Sequence, residues 1–252
     1  MRILTTSDIH IDYEDNKKWI EDLSNQDFVE DILLLAGDIS DDLAMIRSCF
    51  EHLSKKFFKV MYVTGNHELW VVRDGFADSF QKYDKVCEVA KEQGILTEPL
   101  HIGTLSIVPL LGWYDFSFGQ PTKVLMKSWM DFHACTWPEN DNPSTVNQHF
   151  LNKNIAHLSI SNDTVISFSH FVPRLDLLPD YIPKKYRFLN PVLGSALLEQ
   201  QIRELKPNIH IYGHSHVNRN VIIDDVQYIN NAFGYPSEKS DTHRCLLCVH
   251  EQ

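Results

Sequence analysis

The sequence contains no apolar run that approaches the length of a membrane-spanning helix, so no bilayer partner is expected. It shows no secretory start either. "MRILTTSDIH" is too short and too polar for an apolar core with a cleavage site, which points to the cytoplasm. Basic residues are scarce, 23 Lys and Arg against 34 Asp and Glu, and the formal charge is −11. A general attraction to nucleic acid or anionic membrane is therefore not expected. A local pocket for phosphate is still compatible with that sum, because bound cations are not counted in it. The five cysteines, Cys49, Cys87, Cys135, Cys245 and Cys248, are odd in number and scattered, which argues against a disulfide framework. Cys245 and Cys248 are close, but residues three apart in a strand point to opposite faces, so packing is favoured over redox or zinc chemistry. No repeat, low-complexity tract or linker marks a boundary, and residues 1–252 read as a single domain.

What is present is a rhythm. Short apolar, β-branched runs recur at 2–8, 31–38, 59–66, 105–112, 163–170 and 208–214, and each ends in polar residues. Helix-like stretches lie between several of them, at roughly 16–28, 41–55, 75–93, 145–160 and 191–205. Near-continuous apolar runs predict strands buried on both faces, and their alternation with helices predicts βαβ units in a layered α/β fold. A hairpin is expected around Asp224-Asp225, with a final strand in "HRCLLCVH". Two segments break the rhythm: 113–144, rich in aromatics, and 171–190, which has three prolines. Both follow strand runs, so both are expected as cap insertions near the ligand edge of the sheet.

The polar residues at the strand ends share a chemistry. They are Asp8 and His10 ("DIH"), Asp38 ("GD"), Asn66 and His67 ("GNHE"), His170 ("SH"), and His214 and His216 ("GHSH"). Parallel strands align their C-terminal ends, so these distant groups converge. The two-residue spacings Asp8/His10 and His214/His216 place both side chains on one face of an extended segment. Seven N/O donors exceed the needs of one tetrahedral zinc, and no thiolate is among them. Shared between two ions about 3.5–4 Å apart, they fit a site that clamps both oxygens of a phosphoryl displacement.

In this order the five elements D-x-H, G-D, G-N-H-E, a lone His and G-H-x-H resemble the calcineurin-like metallophosphoesterase family, over Asp8 to His216. The resemblance implies a two-sheet β-sandwich flanked by helices. It also implies a dinuclear metal-dependent phosphoesterase that uses a metal-bridging hydroxide. Asp8, His10, Asp38 and His216 would hold one metal, and Asp38, Asn66, His170 and His214 the other. His67 would serve the substrate as general acid or donor. By likeness to the protein phosphatases of the superfamily, Asp41 in "GDISDD" would orient His67. The ions would be Mn, Fe, Zn or Ni, with Mn as activator.

One departure bears on substrate. Where protein phosphatases read G-D-x-x-D-R-G, with an Arg that grips phosphate, this chain has Asp42 and Leu43. The missing cation favours a small, monoanionic phosphodiester over a dianionic monoester, unless Arg174, Lys184, Lys185 or Arg187 supplies charge from elsewhere. The alternatives are a phosphomonoesterase or protein phosphatase, a nuclease, and a non-catalytic scaffold on the same fold. The remaining histidines, His52, His101, His133, His149, His157, His210, His243 and His250, are expected to have no metal role. The aromatics of 113–137 are expected to form the small core of an insertion, with Trp113 and Tyr114 as candidates for a pocket wall. The basic group 184–187 reads as a solvated turn. Oligomeric state is not legible.

Overall fold

The architecture comes from a computed structural model that describes residues 1–238, 242 and 244–252, so His243 lies outside the described residues. Two sheets stack face to face. The first has the order β10-β1-β2-β3, with β1 Arg2–Thr6, β2 Ile32–Leu35, β3 Lys59–Tyr62 and β10 Leu247–Glu251. The second has the order β4-β5-β6-β7-β9-β8, with β4 Leu100–Ile102, β5 Leu105–Pro109, β6 Thr164–Phe168, β7 Ile209–Tyr212, β8 Arg219–Ile223 and β9 Val226–Asn230. Strands β1, β2 and β3 run parallel, as do β5, β6, β7 and β9.

Period-two alternation divides the apolar runs between three packed layers. Ile3, Ile32, Leu34 and Met61 from one sheet meet Ile107, Ile166, Phe168 and Ile211 from the other in the central layer. The opposite face of the first sheet, with Leu4, Leu33 and Leu35, packs on helices α1 Glu14–Asp22, α2 Leu43–Ser54 and α3 Ser79–Glu92. The outer face of the second packs on the short helices α4 Lys123–Ser128 and α5 Asp131–Ala134 and on α6 Pro143–Asn154 and α7 Ala196–Leu205. Burial on both strand faces explains why the runs read as continuous rather than alternating.

Where helix ends depart from the sequence expectation, side chains explain it. The stretch 23–28 is not helical: the Ser24 hydroxyl accepts the N–H groups of Gln26 and Asp27 and closes a turn. Asp78 caps α3 through the N–H of Gln81, and Ser195 caps α7 through that of Leu197. The hairpin between β8 and β9 turns at Asp224 and Asp225, both at positive φ, as a tight two-residue turn requires. Strand β4 is absent from the sequence expectation; its three residues are too few to show a period. No helix among the described residues is long and apolar enough to cross a membrane.

The aromatics of 113–137 are largely core. Trp113 and Tyr114 are buried against Phe171, and they back a hollow of about 260 Å³ whose lining includes Asp131. Cys245 and Cys248 are free and exposed rather than packed.

His210 in β7 is buried between two hydroxyls, Ser167 Oγ at 2.8 Å and Ser169 Oγ at 3.1 Å. Burial pushes its pKa down from 6.5 to about 3, so the folded chain keeps it neutral where the unfolded chain takes up a proton. Stability therefore falls as pH drops below the unfolded value. Between about pH 7.5 and about pH 5.5 this group alone should remove about 1.4 kcal/mol. Urea titrations of the metal-free protein should show that extra loss in the wild type and not in His210→Gln; equal slopes would refute it.

Candidate metal centre

All the strand-end residues arrive at one edge, because parallel strands in both sheets end there. Asp8 and His10 follow β1, Asp38 follows β2, and Asn66 and His67 follow β3. From the second sheet, His170 follows β6, and His214 and His216 follow β7. The turns that present them are strained: Asp8, His10, Asp38, His214 and His216 all have φ between 45° and 66°, in the left-handed region. Non-glycine residues seldom adopt it, and such strain concentrates at functional sites. Flanking glycines are needed for space. A Cβ on Gly65 would collide with Asp38 Oδ1, and one on Gly37, itself at φ 85°, would stand 2.6 Å from His170 Nδ1.

The histidines are aimed. His170 Nδ1 donates to the Ala36 carbonyl at 2.9 Å, which leaves Nε2 facing Asn66 Oδ1 and His214 Nδ1, each at 3.1 Å. His214 Nε2 donates to the Val192 carbonyl at 2.9 Å. His216 Nδ1 donates to Glu238 at 2.7 Å, and its Nε2 lies 3.3 Å from Asp8 Oδ1 and 3.2 Å from His10 Nε2. In each ring the outer nitrogen is anchored and the inner lone pair is left for the centre, the arrangement that fixes a ligating imidazole.

Three groups result, each with donor atoms within 4.8 Å of one another: Asp8, His10 and His216; His10, Asp38 and His67; Asp38, His170 and His214. Two nitrogens held about 2.1 Å from one ion at right angles stand about 3.0 Å apart, so the observed inner separations fit a shared cation. The electrostatics agree. Burial raises the Asp38 carboxyl well above its usual range, and Glu68 and Asp8 add to that. Burial opposes charge on His216, yet Asp8 and Glu238 prevail and push it up to about 10. Asp8 is held well below the usual carboxylate range, against its burial, by His216, His170 and His10. The donor set thus suits positive charge at its centre.

A family model for calcineurin-like phosphoesterases matches residues 1–218. The chain belongs to that family. It is 33 % identical over 121 residues to the acyl-carrier-protein phosphodiesterase PptH of Mycobacterium tuberculosis, an alignment covering 44 % of this chain and 37 % of that protein. The crystal structure of the phosphopantetheinyl hydrolase PptH from the same organism covers 98 % of this chain and 95 % of its own at TM-score 0.85. At 22 % identity, that likeness is one of fold. An uncharacterized protein, L509, of Acanthamoeba polyphaga mimivirus is 24 % identical over 96 % of this chain and 94 % of its own. The family is one of metal-dependent hydrolases of phosphoric esters, and the alignment with the acyl-carrier-protein phosphodiesterase spans little more than a third of that protein.

The structure brings Asp8, His10, Asp38, Asn66, His67, His170, His214 and His216 together, and it takes Asp41 elsewhere. The Asp41 carboxylate pairs with Arg73 at 2.9 Å, and no contact among the described residues joins it to His67. Arg73 wins because a guanidinium held among Asp12, Asp41 and Asp42 attracts the carboxylate more strongly than a neutral ring. The His67 ring lies on Trp70 instead, with centroids 3.9 Å apart, and meets His10 edge-on at 4.7 Å. Burial, then His170 and His216, push the His67 pKa down to about 3. Its side chain is 15 % exposed, open enough to meet a ligand.

Four supporting residues escaped the sequence reading. Glu68, the last residue of "GNHE", is fully buried and accepts the N–H groups of Gly65, Asp38 and Ile39, tying the loops after β2 and β3 together. Its place in the motif was the available signal. Glu238 anchors His216 and also accepts the Tyr235 N–H, and the Tyr235 ring stacks on His10 at 4.3 Å. Asp131, from the 113–144 segment, accepts Asn66 Nδ2 at 2.8 Å and the indole N–H groups of Trp70 and Trp129, each at 2.7 Å. It turns the Asn66 carbonyl oxygen inward and steadies the indole beneath His67.

Asp131→Asn should therefore weaken binding of the metal held by Asn66 by about 10–100-fold. Calorimetric Mn²⁺ titration should show one weakened site with the other kept. Two unchanged sites would remove Asp131 from this role.

Proposed function

We propose that this phosphoesterase holds two metal ions and hydrolyses a phosphodiester. Asp8, His10, Asp38 and His216 would hold one ion, and Asp38, Asn66, His170 and His214 the other, with Asp38 shared. The separation of donor groups supports this: Asp38 belongs both to a group with His10 and to one with His170 and His214. When bound, the ions supply a nucleophilic water near neutral pH and positive charge for the phosphoryl oxygens. The chain's own residues do the rest. His67, braced on Trp70, offers its ring N–H to the departing oxygen. Tyr235, packed on His10, walls the site from above the first group and excludes water there.

The preference for a diester rests on one observation: Arg73 and Arg174, which follow the loops that carry His67 and His170, are already neutralised. Arg73 is paired with Asp12, Asp41 and Asp42, and Arg174 with Asp176, Glu199 and Asp224. Neither is free to hold the second charge of a monoester, whereas a monoanionic diester makes no such demand. The likeness to PptH supports a substrate in which the diester joins a small group to an acyl-carrier-type protein. Mn is the proposed activating ion, since an all-N/O donor set accepts several transition metals.

Protein stripped of metal and reloaded with Mn²⁺ should bind two ions per chain. It should hydrolyse bis-p-nitrophenyl phosphate faster than p-nitrophenyl phosphate, and His67→Ala should lower kcat about 10²–10⁴-fold. A preference for the monoester would overturn the diester reading, and two bound ions without hydrolysis of either would favour a scaffold.

A further inference from the structure

Residues 181–188, "YIPKKYRF", carry three cations and no acid in a chain whose formal charge is −11. Lys184, Lys185 and Arg187 are exposed, and none of the ion pairs among the described residues includes them. They contrast with Arg73, Lys82, Arg174 and Arg203, which are all paired with carboxylates. Large rings stand among the three cations: Tyr181 is 76 % exposed, Tyr186 47 % and Phe188 39 %. The Lys185 ammonium lies 4.9 Å from the Tyr186 ring centroid. Exposed aromatics interleaved with basic groups are the composition of a protein–protein contact, in which rings supply the buried area and charges steer the encounter.

The position of the segment decides what it can serve. It opens the 3₁₀ stretch Lys184–Val192, and the Val192 carbonyl accepts His214 Nε2 at 2.9 Å. At about 2.0 Å of rise per residue, Arg187 and Lys184 stand about 10 and 16 Å along the chain from that contact. Those are the largest separations along this stretch, so the segment is near enough to meet a macromolecule whose phosphate sits at the metal centre.

We propose that 181–188 is a docking surface for an acidic protein that bears the scissile phosphodiester. The inference rests on the diesterase reading above and adds the surface that such a protein would meet. A folded protein joined through its own side chain to a phosphate at the metal centre would bring its surface within reach of this segment. Acidic groups there would find the free cations in an otherwise acidic enzyme. A nucleic acid is the poorer fit, because one short cluster neutralises few phosphates against the repulsion of the rest of the chain.

The test uses full-length protein and fluorescently labelled holo-acyl carrier protein as the acidic probe. Binding anisotropy is measured at low and high NaCl for wild type and for the triple variant Lys184→Glu, Lys185→Glu, Arg187→Glu. Wild type should bind in a salt-sensitive way, and the variant about tenfold or more weakly. Hydrolysis of bis-p-nitrophenyl phosphate should be unchanged in the variant, which also shows that it folds. Equal binding by the two proteins, no binding by wild type, or salt-sensitive capture of a single-stranded oligonucleotide instead would each overturn the proposal. Loss of the small-diester activity in wild type itself would count against the diesterase reading, whatever the binding result.

Discussion

Burying seven polar donors at the shared edge of two sheets is the constraint on which the rest of the structure depends. An unpaired polar group away from water costs roughly 1–3 kcal/mol, and an unpaired charge costs more. Most of the donors have their outward-facing atoms satisfied by a carbonyl, a carboxylate or a backbone N–H. Ala36, Val192 and Glu238 hold the rings of His170, His214 and His216, and the His214 N–H binds the carboxylate of Asp8. What stays unsatisfied points inward, where the proposed cations would complete it. The left-handed turns and the crowded glycines follow from the same demand, since five loops must approach within contact of one another.

That constraint also explains why the 113–144 segment belongs to the site rather than decorating it. Asp131 accepts three N–H groups from Asn66, Trp70 and Trp129 at a fully buried position, and the edge of Trp129 meets the His214 ring at 5.8 Å. A carboxylate with several donors is tolerable in the interior, and one with none is not. The aromatic core of that segment, with Trp113 packed on Phe171, helps keep the carboxylate buried and in place. Packing, hydrogen bonding and the orientation of the site are here one arrangement.

Charge is distributed with the same economy. The chain is acidic overall, yet Arg73 and Arg174 are held in carboxylate clusters, while Lys184, Lys185 and Arg187 of the Pro-rich segment are exposed and in no ion pair among the described residues. Local cation placement, rather than net charge, bears on which phosphoester the centre receives.

Much of this was legible in the sequence. Apolar runs ending in Asp, His and Asn specified strands buried on both faces, and their shared polarity specified a convergent edge. The motif spacings named the eight side chains that meet there, because ligands at strand ends are local features of short segments. The partners that aim them were not legible. Asp131 lies 65 residues from Asn66 and Glu238 lies 22 from His216, and neither distance carries a periodic signal. The expected contact of Asp41 with His67 failed for the same reason: Arg73 reaches Asp41 only in the folded chain. The sequence by itself determined which groups reach the edge, since strand direction and alternation follow from neighbouring residues. Only the tertiary structure decided how each group is turned and which charges are left free, because hydrogen bonds and ion pairs between remote segments exist only once the layers have packed.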